Sequence, residues 1–486
     1  MNAKKSVNKN LVLNFVRTGM SLIFPLISFP YISRVLSPAG IGMANYSNSI
    51  VTYFVLIAGL GVSSYAIREG SPIRNNKEEF SNLANELFSL NLVTTIISYV
   101  FLFLMVLFVP QFQAYQLAIT IYSATIFFKT IGVEWIFNIC EDYFYITLRS
   151  TIFQFISLLL MLLLVRSVDD TYIYIAIVIF SGVGSNILNF IYARKYWNIK
   201  IILNKKIFHH LKPILIIFST TLATTIYSTA DVTMLGWMIG DTDVGIYSVA
   251  TKLYNILKSM INSIVVVFSP RTMYLIVNDK KEYQRTFQYA FDIVMFFCIP
   301  IVFGVFFFSK DIILIISGPA YNEAAVPMSI ITASLIFSCL GNLLSSGALL
   351  AIRKEKLMLV ATSIGCVLNI VLNAILIPYY KSAGAAFATL VTEVTICTVL
   401  FICFKKNIKM TLAKSHTLKC IFASLLFVVV KICYSQFLTS SIINSVFAIG
   451  FCAVLYCAVL VLLKDEFIMN IIGTCLKKIK TKKRVG

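Results

Sequence analysis

The sequence predicts an all-α polytopic membrane protein with about 14 transmembrane helices, on three observations. Of its 486 residues, 59% are hydrophobic and only 13% are charged, against roughly 25% charged in soluble domains. Long apolar runs recur, each near the roughly 20 residues that cross a bilayer. Positive charge also falls into every second gap between those runs. Of the 41 Lys and Arg, Arg34, Arg166, Lys310 and Lys381 lie on one side and Arg17, Lys129, Lys252, Lys258 and Lys431 lie within runs. The other 32 fill the alternate gaps, the N-terminal segment and the tail. The positive-inside rule then places both termini in the cytoplasm and makes the number of spans even. The expected location is the cytoplasmic (inner) membrane, with a multi-pass topology.

The first span, 11–33, follows Lys4, Lys5 and Lys9 as a signal peptide would, but its apolar run is too long and no small-residue cleavage site ends it. Pro25 and Pro30 within it can bend or break a helix. Span two, 43–64, opens on the polar run Asn45, Tyr46, Ser47, Asn48, Ser49 and Thr52. Spans three to six follow at 82–108, 112–138, 147–165 and 171–193, with Arg149, at the start of span five, counted with the charges of the adjoining loop. In the stretch 200–212, Ile201, Ile202, Phe208 and Leu211 share a helical face, which suits either a linker or a surface anchor.

Spans seven to twelve are 213–238, 244–269, 287–309, 324–351, 357–378 and 382–404, and spans 13 and 14 are 417–437 and 441–463. The tail, with Phe467, Ile468, Ile471, Ile472, Cys475, Leu476 and Ile479 at helical spacing among lysines, reads as an amphipathic interfacial helix. The outer loops are short, the longest having about 14 residues, so no soluble domain holds a separate active site. The net charge of +20 suits anionic lipid headgroups and calls for no nucleic-acid partner.

A faint repeat links two outer turns. Ser37-Pro38-Ala39-Gly40-Ile41-Gly42 precedes span two, and Gly240-Asp241-Thr242-Asp243-Val244-Gly245 precedes span eight, 203 residues later. Small residues let two helices approach closely. The shift spans six segments, which makes 1–206 (spans one to six) and 207–412 (spans seven to twelve) related halves with the same orientation. Residues 413–486 add spans 13 and 14 and the basic tail. Two such halves around a substrate are a transporter architecture.

Catalytic constellations are missing from the sequence, with no phosphate-binding Gly-rich loop, no G-x-S-x-G and no H-E-x-x-H, so an enzyme is not expected. The eleven cysteines form no C-x-x-C pair, and His209, His210 and His416 sit among basic loops, so no metal site or resident cofactor is expected. The informative residues are charges inside spans, each costly in hydrocarbon unless it meets a partner or a wet cavity. Glu86 and Asp292 lie near span ends, where snorkelling accounts for them. Lys431 reads as structural, with no matching charge in the core halves. Arg17, Lys252, Lys258 and Lys129 are candidates for binding an anionic group, because a surplus of cations suits phosphate oxygens. Asn45, Tyr46 and Asn48 are candidates for facing a hydroxyl-rich sugar, with helix–helix hydrogen bonding as the alternative. Asp231, Glu134 and Glu393 are candidates for H⁺ or Na⁺ coupling, and Asp231 and Lys252 alternatively neutralise each other.

Three stretches carry a resemblance. NFVRTGMSLIFPLISFPYISRVLSPAGIGMANYSNSIVTYFVLIAGLGVSSYAIREGSPIR, ADVTMLGWMIGDTDVGIYSVATKLYNILKSMINSIVVVFSPR and SAGAAFATLVTE resemble the first span pair, the start of the second half and the twelfth span of Wzx-type polysaccharide flippases. Those proteins export O-antigen, capsule or exopolysaccharide repeat units. The resemblance implies the multidrug/oligosaccharidyl-lipid/polysaccharide exporter fold, in which two six-helix lobes form a V around a central cavity, here with two extra C-terminal helices. It also implies alternating access, an undecaprenyl-pyrophosphate-linked oligosaccharide as substrate, and other polysaccharide-assembly proteins as candidate partners. The alternatives are a multidrug antiporter of the same fold, which would favour an acidic, aromatic cavity, or a lipid II flippase. A membrane glycan polymerase would need a larger outer loop than any present.

Overall fold

The computed structural model describes residues 7–202, 204–408, 410, 412–437, 442–470 and 473, and every regular element among them is a helix. The chain divides into two compact units, 1–248 and 249–486, and the division falls within one helix.

In the first unit, α1 (Val7–Val35) runs through Pro25 and Pro30 without the break those prolines suggested. Next comes α2 (Pro38–Gly59), where Ser37 Oγ accepts from the Gly40 amide at 3.1 Å and Pro38 occupies the first turn, the position where a missing N–H costs nothing. After α3 (Val62–Ile73), α4 (Lys77–Phe108) starts on a reciprocal cap: Asn76 accepts from the Glu79 amide at 3.3 Å and donates to its carboxylate at 3.2 Å. The short α5 (Pro110–Gln113) leads into α6 (Gln116–Gly132) and α7 (Glu134–Ile139). Beyond them, α8 (Tyr143–Leu164) precedes α9 (Thr171–Ile179), which passes through a π turn, Phe180–Gly184, into α10 (Asn186–Ala193). The unit closes with α11 (Leu211–Met238) and the first turns of α12 (Asp241–Asn278).

The segment before α11 corrects the amphipathic-helix expectation. Residues 198–202 are not helical, and only a 3₁₀ stretch, Lys205–His210, precedes α11. Its backbone is strapped to α4. Asn85 Oδ1 accepts from the Trp197 indole and from the Lys200 amide, both at 2.7 Å, and Ser89 Oγ accepts from the Ile202 amide at 2.8 Å. His210 closes the strap, with Nε2 2.9 Å from Glu86 and Nδ1 2.9 Å from the Tyr65 hydroxyl. Glu86 thus has a specific partner where snorkelling was expected. Beneath the strap lies an apolar core of Phe88, Trp135, Phe137 and Trp197. Nearby, Tyr196 donates to Asp142 at 2.7 Å, and burial together with that carboxylate pushes the phenol pKa up, so Tyr196 remains a donor.

The two turns of the sequence repeat meet in this unit. A Cβ on Gly42 would overlap the carbonyl of Asp241, and one on Gly245 would overlap the carbonyl of Pro38. Each glycine therefore packs on the backbone four residues before the other, so the starts of α2 and α12 cross reciprocally. The repeat seen in the sequence is a repeat of contact.

In the second unit, α12 continues and is followed by α13 (Lys280–Ile316), whose N-cap Asp279 accepts from the amides of Lys281 and Glu282 at 3.0 Å. α14 (Ala325–Leu344) ends in a second π turn, Ser345–Leu349. α15 (Glu355–Ile408) is a helical hairpin. Lys381 leaves helical geometry at φ 50°, and a Cβ on Gly365 would overlap the Ile396 side chain, although a straight helix would separate those residues by roughly 45 Å.

α16 (Ser415–Leu425) and α17 (Phe427–Phe437) together make one span, and with α18 (Ile442–Leu462) they form the added C-terminal pair. One end is held by buried His416, whose Nδ1 lies 2.9 Å from Asp465, and by Tyr456, which donates to the Phe296 carbonyl of α13 at 3.0 Å. The other is held by Lys431, whose Nζ donates to Asp311 of α13 at 2.6 Å and lies 4.9 Å from the ring centres of Phe308 and Tyr434. Lys431 does have a matching charge, on a residue the sequence placed in an outer loop.

Among the described residues, 11 helices are long and apolar enough to cross a membrane, or 12 if a pair bent by 41° around residue 220 counts as one span. The α15 hairpin carries two of the expected spans, and α1 covers the first, so this architecture is compatible with 14. Large apolar side chains such as Phe103, Val367 and Phe447 stand 66%, 64% and 73% exposed, a surface suited to lipid. The chain is a multi-pass membrane protein. The amphipathic tail beyond residue 470 lies outside the described residues, apart from Gly473.

Candidate functional site

Three irregularities in the helices of the first unit converge on one polar cavity. Between α2 and α3, Leu60 and Gly61 take left-handed backbone at φ 43° and 83°. Gly61 needs no side chain there, since a Cβ would lie 3.2 Å from Ile217 and 3.3 Å from the Phe218 amide nitrogen. Between α6 and α7, Val133 is held at φ 36°, a costly geometry for a β-branched residue. The π turn after α9 is the third. Breaks of this kind free backbone polar groups inside a membrane and persist where they line a cavity or are packed in protein. The cavity here is about 490 Å³, and its lining includes Gly59, Gly61, Asn91, Lys129, Glu134 and Asn186.

Behind the lining, Arg149 ties two of the breaks together. It is buried, six residues into α8 and not in a loop, which corrects the sequence reading. Its guanidinium donates to Glu134 Oε1 at 3.1 Å, to the Ser185 carbonyl at 3.1 Å and to Asn186 Oδ1 at 3.3 Å. Asn186 in turn donates to the Phe128 carbonyl at 3.0 Å. The planar guanidinium suits several acceptors at once. Around this cavity two cations, Lys129 and Arg149, accompany one carboxylate, Glu134. Thr221 and Thr225 of α11 complete one wall, on a helix whose Ser219, Thr221, Thr224, Ser228, Thr229 and Thr233 hydroxyls all donate to carbonyls one turn back.

The second unit holds a different constellation. Lys258 Nζ of α12 donates to Glu393 Oε1 of α15 at 3.1 Å and lies 5.5 Å from the Tyr254 ring centre. The Glu393 side chain is 8% exposed and that of Lys258 28%. Lys258 and Glu393, assigned from sequence to separate roles, stand together as one ion pair.

The remaining candidates are dispersed. Arg17 lies within α1, and its side chain is outside the described residues. Lys252 is exposed on α12. Asp231 is buried and accepts from the Tyr247 hydroxyl. Tyr46 is buried at 1% exposure, with its ring edge-on to Tyr115 at 4.9 Å, so it is placed for helix packing. Asn45 donates to the Ile41 carbonyl of its own helix at 2.9 Å, while Asn48 is exposed. Sequence reasoning missed Arg149, Asn91, Asn186 and the α11 hydroxyls. The Ser/Thr run 219–229 was the available signal for the last of these.

Comparison with known proteins follows the same lines. The model of the family described as polysaccharide biosynthesis protein matches residues 7–276, and that of the MatE family matches residues 216–375. The chain is 24% identical to a protein of Escherichia coli named "Putative O-antigen transporter", over 84% of this chain and 99% of that one. It is 27% identical to the "Probable low-salt glycan biosynthesis flippase" of Haloferax volcanii, over 34% of each chain. Among solved structures, the lipid II flippase MurJ in an inward closed conformation superposes with a TM-score of 0.74 at 20% identity, covering 94% of this chain and 99% of that one. An inward-facing multidrug resistance MATE family transporter gives 0.63 at 14% identity, covering 81% and 98%. These likenesses establish the fold, and the relatives are named as transporters and flippases, not enzymes. The chain belongs to the polysaccharide biosynthesis protein family, on the fold of the multidrug/oligosaccharidyl-lipid/polysaccharide exporter superfamily, and resembles its Wzx-type members.

Proposed function

We propose that this protein is a flippase for a lipid-linked glycan, moving undecaprenyl-pyrophosphate-linked oligosaccharide repeat units from the inner to the outer leaflet of the cytoplasmic membrane by alternating access. The carrying observation is a cavity inside the membrane-spanning helices lined by Lys129 and Glu134, with Arg149 buried behind it and already bonded to Glu134, which leaves the Lys129 charge uncompensated by that carboxylate. A surplus of cation there suits a pyrophosphate and opposes an organic cation. The family and the names of the relatives support the same reading. Arg17, Lys129, Lys252 and Lys258 are the proposed pyrophosphate-binding cations. Asn48, with the hydroxyls of α11, is the proposed sugar-facing surface.

In this mechanism the sugars and pyrophosphate occupy the protein while the polyprenyl tail stays in lipid. Two negative charges moving outward across an inside-negative membrane gain about 2.3 kcal/mol each per 100 mV, so outward movement needs no ion partner by sign. Asp231, Glu134 and Glu393 are the candidate carboxylates for H⁺ or Na⁺ coupling of the return step. With both termini cytoplasmic, the strap and the Arg149 network lie toward the cytoplasm.

The test is transbilayer movement in proteoliposomes of an undecaprenyl-pyrophosphate glycan and, separately, of a cationic dye, with the native chain, Arg17→Ala and Lys129→Gln. Glycan movement that falls in the variants supports the proposal. Dye transport without glycan movement refutes it in favour of a drug antiporter.

A further inference from the structure

Lys258 and Glu393 form a pair whose two ends differ in access. Glu393 is nearly enclosed, at 8% side-chain exposure, and the Lys258 side chain is the more open partner, at 28%. An ammonium has three donors, and Glu393 Oε1 takes one of them at 3.1 Å. Lys258 sits one helical turn beyond Tyr254, and the ring holds the cation on one side at 5.5 Å. An anion reaching this cation from the open side meets a carboxylate already in place.

We propose that Glu393 is a resident competitor for Lys258, and that this competition restricts the site to headgroups bearing two or more negative charges. The proposal rests on the flippase reading above and adds a specificity-determining residue to it. A monoanion that displaced Glu393 would exchange one carboxylate contact for one phosphate contact. It would also leave a nearly enclosed carboxylate without its cation, and that costs more than the exchange returns. A monoanion that shared Lys258 with Glu393 would place two negative charges on one positive one. A pyrophosphate diester brings a second charge and further acceptor oxygens, so it retains a net attraction after either arrangement. Membrane leaflets hold abundant phospholipids of single negative charge. A flippase with an open, uncompensated lysine would fill with them. Glu393 keeps the site closed to the common anion and open to the rare one.

The experiment uses the full-length chain in nanodiscs and two probes with the same polyprenyl tail and the same sugar. One is joined through a phosphodiester with one charge, the other through a pyrophosphate diester with two. Equilibrium binding of each is measured for the native chain, Glu393→Gln and Lys258→Gln. The native chain should prefer the pyrophosphate by at least about tenfold. Glu393→Gln should bind the phosphodiester about tenfold more tightly and lose most of the preference. Lys258→Gln should weaken the pyrophosphate more than the phosphodiester. Should Glu393→Gln fail to fold, the double variant Lys258→Gln/Glu393→Gln leaves no unpaired charge and should bind both probes weakly with a ratio near one. Binding with the native ratio unchanged in Glu393→Gln overturns this inference and leaves the flippase reading standing. Saturable binding of neither probe to any form overturns the flippase reading itself.

Discussion

Replacing Gly42 or Gly245 by alanine tests whether the crossing of α2 and α12 is as close as the structure shows. A methyl group at Gly42 would meet three backbone atoms of Asp241, the farthest at 3.0 Å, and one at Gly245 would meet three of Pro38, the farthest again at 3.0 Å. Carbon atoms pack at roughly 3.5–4.0 Å. The obstacles are backbone, not the ends of flexible side chains, so the helices must part by roughly 1–2 Å. Overpacking of this kind costs about 1–3 kcal/mol. Alanine in place of glycine within a helix returns roughly 0.5–1 kcal/mol, so from the upper part of that range, about 2–3 kcal/mol for overlap with backbone, the net loss is about 1–2.5 kcal/mol. The reciprocal geometry predicts the same loss for either variant and less than additive loss for the pair, because one separation of the helices relieves both clashes. The assay is thermal unfolding of the purified protein in detergent, with Gly450→Ala as control, where nothing lies within 4 Å of the added methyl. Native stability in both Gly42→Ala and Gly245→Ala would refute the close crossing.

Two further outcomes follow from buried charges. Arg149→Met should lower stability by about 2–4 kcal/mol, less than the loss of a fully enclosed pair because Glu134 is 41% exposed, and Glu134→Gln should cost less, since Arg149 keeps its bonds to Ser185 and Asn186. Denaturation followed by circular dichroism measures both, and equal losses would contradict the network. Lys431→Met should be destabilising while Lys431→Met/Asp311→Leu recovers most of the loss, because replacing both partners by apolar groups removes the unpaired charge. A double variant no better than the single would show that the pair itself is not what holds α17 to α13.

What was legible in the sequence follows from where the energy lies. Spans are dictated by the transfer of whole apolar segments into lipid, so hydropathy and charge alternation locate them without knowledge of contacts. The Gly42 and Gly245 turns were also legible, because a glycine that lets helices touch leaves a small-residue signature at a fixed spacing. The breaks at Leu60 and Val133 were not, since neither residue type signals left-handed backbone and tertiary packing imposes it. Arg149 lay six residues into α8 but near the edge of an apolar run, so hydropathy assigned it to the adjoining loop. Pairing across long separations was beyond reach as well. Lys431 and Asp311 are 120 residues apart, and Lys258 and Glu393 are 135 apart, so single charges were visible while their partners were not.

The strap on α4 bears on how the chain tolerates being cut or lengthened. An unattached segment from Arg194 to His210 would have a contour of roughly 55 Å, ample slack for a tag, a protease site or an inserted domain. Here that length is fastened at Trp197, Lys200, Ile202 and His210 by side chains of Asn85, Ser89, Glu86 and Tyr65. Added residues between those fastenings would shift these groups out of register with their partners, since Asn85, Ser89 and Glu86 hold fixed places along α4 and Tyr65 along α3. The junction that looks from sequence like the natural seam for splitting the gene, permuting the chain or grafting a reporter is therefore a poor one. The short turn at Lys381 is the better place to open it, because its backbone already departs from the helix and the side chains beside it, Tyr379 and Tyr380, are exposed.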